Sequence, residues 1–455
     1  MEINPVLVLL VAYAVILLVL ARRRSGEGPG SFLLAGRALS LPALVATMVT
    51  TWYGGILGVG EYAWRYGLST WVVFGLPYYL AAIVFGLWLA PRLRRSNAVS
   101  IPDLLNQTYG RRTALVGAAG VWAGTIPVAY LLMLAMLIRQ VSGCSLTTAT
   151  LIGAGFSCWY VGVSGFRAVV RTDAFQMVLM FGGFLLLLPA TLAHTGGLSG
   201  LWAALPETHR AWDGGLGWQA VLVWYFIAFQ TVVEPAFYQR VFAARSPRVA
   251  RTGILLSVVL WGIFDFLSII TGLGARVLLP DLADPLAAYP ALAQAVLGPW
   301  SAAFFMLALF AIVMSTLDSY LFLAASTFGH DLAVNPTTEG DPSRIRFGLG
   351  LSALLAIVGT MLFDSAIDVW HHVGSVLTAS LLVPVLGVHL PQNVRPSGRG
   401  AITAMVLAAI TATVWIILRT DRGYPFGLEP LFPALGVALT CWALDRIAAR
   451  ILPSR

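Results

Sequence analysis

FAIVMSTLDS, residues 310–319, sets three hydroxyls and a carboxylate (Ser315, Thr316, Asp318 and Ser319) inside a long apolar run. Such groups are costly in hydrocarbon unless they face partners, water or an ion. On a helix Ser315, Asp318 and Ser319 fall at i, i+3 and i+4, on one face, and Thr316 flanks Ser315. A lone Ser or Thr in such a place reads as a hydroxyl bonded back to its own helix. Four oxygen-bearing residues in five read instead as part of a site for a small hard cation, which takes oxygen ligands.

The rest of the chain supplies the membrane. Of 455 residues 58% are apolar and only 11% charged, against about 25% charged in a soluble protein. Thirteen apolar segments are long enough to span: 5–21, 41–66, 70–91, 114–138, 145–164, 173–194, 217–243, 252–275, 299–328, 346–363, 368–390, 400–418 and 430–449. They run unbroken for about 20 residues, as spanning helices do, rather than alternating as barrel strands do. The expected fold is therefore an all-α polytopic membrane protein with one transporter domain over 1–455. No loop is long enough for a second core, and 281–297 reads as a short amphipathic helix over the outer mouth. The three cysteines lack metal spacing and read as small packing residues.

All 28 basic residues are Arg. With the N-terminus outside and the C-terminus cytoplasmic, 22 of them fall in loops on the inner side, Arg240 included, and the alternation holds through every loop. The Arg22–Arg24 cluster follows the first apolar run instead of preceding it, so that run reads as a span and not a leader. The absence of Lys points to a GC-rich, bacterial genome and so to a cytoplasmic membrane. The positive charge lies in these short loops, so no nucleic-acid partner is expected. Neither is an obligatory protein partner, and no catalytic constellation marks an enzyme.

Helix breakers are concentrated in two spans. Gly54, Gly55, Gly58 and Gly60 fall within 41–66, and Glu234-Pro235 interrupts 217–243. Broken spans free backbone carbonyls at mid-depth, which only protein or a wet cavity satisfies. Two of them five helices apart point to an inverted-repeat transporter with its site at the midplane. The repeats would be 41–194 and 217–390, with an extra helix and inner loop over 1–40 and two further helices over 400–455. No internal sequence similarity marks the repeats; the spacing alone carries them. Thr51 lies roughly 15 Å from the inner end of its span and Ser315 roughly 22 Å from the inner end of its own, both near the middle of a core about 30 Å thick.

Four stretches then resemble the sodium/solute symporter family, the relatives of proline permease and the sodium/glucose and sialic acid cotransporters. They are FLLAGRALSLPALVATMVTTWYGGILGVGEYAWRYGL (32–68), GFRAVVRTDAFQMVLM (165–180), EPAFYQRVFAARSPRVARTG (234–253) and FAIVMSTLDSYLFLAASTFGHDL (310–332). The resemblance implies a leucine-transporter-like fold and a sodium ion held by carbonyls of Met48, Thr51 and Ile312 and hydroxyls of Ser315 and Thr316. It implies a second cation near the inner exit at Asp173, Ser315, Asp318 and Ser319, where Asp318 replaces the family's Ser. Asp173 reads either as a helix-start carboxylate beside Arg171 or as a relay on the exit path. A solute would bind near Trp52, Tyr53, Gly54, Gly55, Phe229, Gln230 and Glu234. Glu234 reads as partner to a solute amine or to Arg240. The sugar-transporting relatives carry a Gln near Gly55 and an Asn near Glu234. Neither is here, which favours an amino acid, carboxylate or amine.

The function expected is sodium-coupled symport of a small organic solute by alternating access. The alternatives are a proton-coupled transporter of the same fold, with Asp318 or Asp173 as carrier, and a solute sensor or channel without coupled transport. Among the remaining intramembrane ionisable groups, Glu61 is expected to pair with Arg65. Asp265 has no sequence-local partner, and His371 and His372 sit near Asp364 and Asp368.

Overall fold

A computed structural model describes residues 4–22, 32–333, 341–363, 365–420 and 423–451. Arg23, Arg24 and Asp364, named above, lie outside them. The described chain is helical but for two isolated bridges. Eleven helices are long and apolar enough to cross a membrane, and a bent pair makes a twelfth. The thirteenth expected span is the helix α1 (Pro5–Ala21), whose 17 residues are at the short end of what crosses hydrocarbon. Length and composition thus give one span fewer than expected.

The bent pair is α2 (Leu41–Trp52) and α3 (Ile56–Tyr66), which meet at 55°. Pro42 starts α2 where a missing N–H costs nothing. Past Trp52 the chain enters the sparsely populated bridge region at Tyr53 (φ −92°, ψ 15°) and Gly55 (φ −89°, ψ 19°), and the regular ladder stops. The glycines are used for close approach. A Cβ on Gly54 would lie 2.4 Å from the Thr316 Cβ, and one on Gly60 2.6 Å from the Tyr289 ring.

The span Phe166–Thr195, α4, begins a full two turns before Asp173. That places Asp173 within the helix rather than at its start. The second break lies between α5 (Trp218–Ile227) and α6 (Pro235–Ala243), joined by a tight turn over Ala228–Val233. Pro235 has no N–H and holds Glu234 extended (φ −73°, ψ 111°). The carbonyl of Val232, freed by the break, accepts the Tyr238 hydroxyl at 2.9 Å.

After α7 (Pro247–Leu278), the outer loop forms a short helix, Ala288–Val296, whose Tyr289 hydroxyl donates to the Ser268 carbonyl at 2.8 Å. Then comes α8 (Pro299–Ser326), the axis of the bundle. In its spanning stretch 83% of the most apolar window is buried, against 17% in the last helix, Leu431–Ile451. It packs along α4 and touches α2 and α6, and α9 (Ala366–Val388) closes the far side of the bundle. The core therefore encloses both breaks, and apolar side chains such as Val178, Ile417 and Leu362 face outward as a lipid-facing surface requires.

The contact at Gly54 predicts an asymmetry between glycines. Gly54→Ala should lower stability by about 1–3 kcal/mol, because Thr316 is anchored on α8 and does not yield. Gly120→Ala, where an added Cβ meets nothing within 4 Å, should be neutral or raise stability by about 0.5–1 kcal/mol. Thermal melting of the two purified variants measures both.

Candidate functional site

The break at Trp52 frees the Thr51 carbonyl, which would otherwise face the amide of Gly55. The Thr316 hydroxyl reaches across from α8 and donates to that carbonyl at 3.0 Å, with the Thr50 carbonyl at 3.4 Å as a second acceptor. Ser315, the next residue, is fully buried and donates to Asp173 Oδ1 at 2.6 Å. Its proton is therefore directed to α4, and its lone pairs remain for another partner. Met48 and Ile312, one turn before Thr51 and Thr316 on their own helices, are buried at 2% and 0% exposure. The donor set of the first cation site is all oxygen, as a hard cation requires. Among the described residues no cluster of three His, Cys, Asp or Glu offers a transition-metal site.

Arg240 changes the second cation set. Counted above with the inner loops, it is fully buried in the bundle. Its Nη2 donates to Thr51 Oγ1 at 2.5 Å and to Ser319 Oγ at 2.8 Å and lies 3.7 Å from Asp173 Oδ2. Nε donates to the Thr47 carbonyl at 3.3 Å and Nη1 to the Ala236 carbonyl at 3.2 Å. Thr47 Oγ1 completes the carboxylate by donating to Asp173 Oδ2. Asp173 thus joins α2, α6 and α8 to α4, whereas Arg171 donates to the Arg22 carbonyl at 3.1 Å. Asp318 stands apart from this network. It is fully buried, neither carboxylate oxygen has a hydrogen-bond partner, and Ser157 is the polar side chain beside it. The four residues Asp173, Ser315, Asp318 and Ser319 therefore do not form one shell here.

On the other side of α2, a cavity of about 160 Å³ lies between the two breaks. Of the expected solute residues, Trp52, Tyr53, Gly55, Gln230 and Glu234 line it. Gly54 does not, because it packs on Thr316, and Phe229 turns outward, 44% exposed, beside Phe226. Glu234 caps α6: its Oε1 accepts the Ala236 N–H at 3.3 Å and its Oε2 the Gln230 amide at 3.4 Å. Arg240 is turned to the ion side, and no ion pair joins it to Glu234 among the described residues.

Sequence reading left several lining residues unnamed: Tyr78, Tyr130, Tyr320, Trp224 and Trp370. Tyr320, next to Ser319, was the one within reach of a sequence argument. Asp265 also lines the cavity, and its partners are distant in sequence: the Tyr53 hydroxyl at 2.8 Å and the Tyr79 hydroxyl. Glu61 pairs with Arg65 at 2.9 Å, His371 lies 3.1 Å from Glu429, and His372 lies 3.1 Å from the Tyr424 hydroxyl.

The Asp173–Arg240 pair makes a prediction about the core. Arg240→Gln leaves a buried carboxylate without its cation and should cost about 3–5 kcal/mol. Adding Asp173→Asn should recover part of that loss. A double-mutant cycle by thermal or denaturant unfolding gives the coupling; additive losses would show that the two side chains act independently.

Comparison with known proteins places this arrangement. The chain is 24% identical over 461 residues to a sodium/pantothenate symporter of Escherichia coli, covering 95% of this chain and 93% of that protein. It is 23% identical over 441 residues to a high-affinity choline transporter of Caenorhabditis elegans, covering 88% and 74%. A Na+-coupled sialic acid symporter, solved in a substrate-bound outward-open state, superposes with a TM-score of 0.81 at 15% identity, over 98% of each chain. The fold is that of the leucine-transporter-like symporters, and the function these likenesses support is sodium-coupled symport of a small organic solute across a membrane. The sodium:solute symporter family description matches residues 32–378, and the chain belongs to that family.

Proposed function

We propose that this symporter couples one sodium ion, held by the carbonyls of Met48, Thr51 and Ile312 and the hydroxyls of Ser315 and Thr316, to one solute bound between the breaks of α2 and α5–α6. The observation that carries the reading is the Thr316 hydroxyl on the freed Thr51 carbonyl at 3.0 Å. Two groups that an ion would bridge already meet there. When an ion takes that carbonyl, the Thr316 proton has the Thr50 carbonyl to turn to. Sodium then ties α2 to α8, and because Trp52 and Tyr53 follow Thr51 directly, the same contact sets the wall of the solute cavity. Coupling is the difference in sodium affinity between states in which this contact is closed and open.

The Asp173, Asp318 and Ser319 group is read differently from a second sodium shell. Arg240 supplies a fixed positive charge to Ser319 and Asp173, so a further cation there would meet the guanidinium at a few ångströms in a medium of low dielectric. Asp173 and Arg240 hold the inner end of the site shut and must part for the ion to leave inward. The remaining arrangement follows the sequence: 41–194 and 217–390 as inverted repeats, N-terminus outside and C-terminus inside, and no enzymatic activity. The relatives named above move an anion in one case and a cation in the other, so the family alone leaves the solute class open.

Ser315→Ala and Thr316→Ala test the ion site. Each should raise the sodium concentration for half-maximal thermal stabilisation at least about tenfold, with no response to potassium in wild type or variants. Unchanged sodium dependence in both variants sinks the assignment. The orientation is checked by thiol labelling in intact cells: a cysteine at Arg210 should react with an impermeant maleimide and one at Arg248 should not.

A further inference from the structure

The cavity between the breaks has a lining that the sodium site does not explain. It is small, about 160 Å³, the scale of the engineered cavity of about 150 Å³ that accepts benzene. Its walls are ring faces and edges. Trp52 meets Tyr78 at 5.1 Å between centroids, and Tyr130 meets Tyr320 at 5.0 Å and Trp370 at 5.8 Å. These rings come from separate elements that only the closed bundle brings together. Room for one of them is built into the break, since a Cβ on Gly55 would lie 1.3 Å from the Trp370 ring.

The charges in this cavity are one-sided. Glu234 and Asp265 both line it, and both are buried. Asp265 is engaged by the hydroxyls of Tyr53 and Tyr79. Glu234 receives an amide of Gln230 and the first free N–H of α6, and no cation pairs with it among the described residues. Among the described residues no Arg lines the cavity, the chain contains no Lys, and the one lining imidazole, His371, lies 3.1 Å from the Glu429 carboxylate. The nearest buried guanidinium, Arg240, is spent on the ion side. A carboxylate solute would therefore enter beside two acids with no cation to receive it. A sugar would find mostly ring surface where its hydroxyls need partners. A cation over aromatic faces, with a carboxylate as counter-ion, is what such a lining holds well.

We infer that the transported solute is a small organic cation of the alkylammonium class, enclosed by Trp52, Tyr78, Tyr130, Tyr320 and Trp370 with Glu234 as its counter-charge. This rests on the reading above that the solute sits between the two breaks, and the test separates the two.

Three tryptophans line the cavity, so their fluorescence in the purified, reconstituted protein reports occupancy. The probes are tetramethylammonium, choline, the neutral tert-butyl isostere of choline, proline, pantothenate and glucose, each titrated in sodium and in potassium buffer. The expected result is sodium-dependent binding of the ammonium probes at least about tenfold tighter than the neutral isostere. Glu234→Gln should cut that preference at least about tenfold and leave the sodium stabilisation that depends on Ser315 and Thr316 in place. Trp370→Leu should weaken the ammonium probes more than it weakens the isostere. Binding of proline, pantothenate or glucose in preference to every ammonium probe overturns the inference, and so does equal affinity for choline and its isostere. If no probe alters the fluorescence while sodium still stabilises the protein, the cation assignment falls and the ion site stands. Should Glu234→Gln fail to fold, the isostere comparison on the unaltered protein decides alone.

Discussion

One contact organises the molecule: a side-chain hydroxyl on α8 against a backbone carbonyl that α2 releases where it breaks. A continuous helix would have used the Thr51 carbonyl internally, and Thr316 would then have had only its own helix to bond. The break costs the ladder bonds around Tyr53 and is tolerated because partners from other helices replace them at mid-depth. Gly54 permits the approach and Thr316 supplies the donor. Neither the break nor the hydroxyl is intelligible without the other, and an ion of the right size strengthens both.

Around that contact the buried charges are arranged in a way that keeps two cations apart. Asp173 takes one hydroxyl from each of α2 and α8 and faces Arg240. The pair is close to neutral, so an ion bound by Ser315 and Thr316 does not face a bare guanidinium. Glu234 lies six residues from Arg240, at the break before Pro235, and lines the cavity while Arg240 turns to Thr51, Ser319 and Asp173. The break in the α5–α6 span therefore does more than interrupt a helix. It separates a carboxylate that lines the cavity from a guanidinium that faces Asp173.

Part of the site was legible in the sequence because its signal is local: the oxygen-bearing run and the clustered glycines are visible without a structure, and Ser315, Thr316 and Ser319 do reach partners on α2, α4 and α6 while Asp318 does not. What the sequence hid is cross-chain. Arg240 reads as one more inner-loop arginine, because its partners Thr47, Thr51, Asp173 and Ser319 are on three other helices. The aromatic wall was hidden for the same reason, since Tyr and Trp are everywhere in an apolar chain and only packing tells which of them share a cavity. Gly54 and Gly55 show the finest grain of this limit: adjacent residues at a kink face opposite ways, one to Thr316 and one to Trp370. Phe229 and Gln230 divide likewise between lipid and cavity.

Asp318 is the remaining strain in this arrangement, and its position suggests why it is confined where it is. It sits one turn beyond Ser315 on the helix that both sites share, fully buried, with Ser157 beside it and no hydrogen bond to either oxygen. A carboxyl buried away from cations is expensive to keep charged, and Arg240 is engaged by Thr51, Ser319 and Asp173 instead. On one helix, then, Ser315 and Ser319 join the network of Asp173 and Arg240 while Asp318 has Ser157 as its neighbour, so the i, i+3, i+4 spacing did not by itself make one shell.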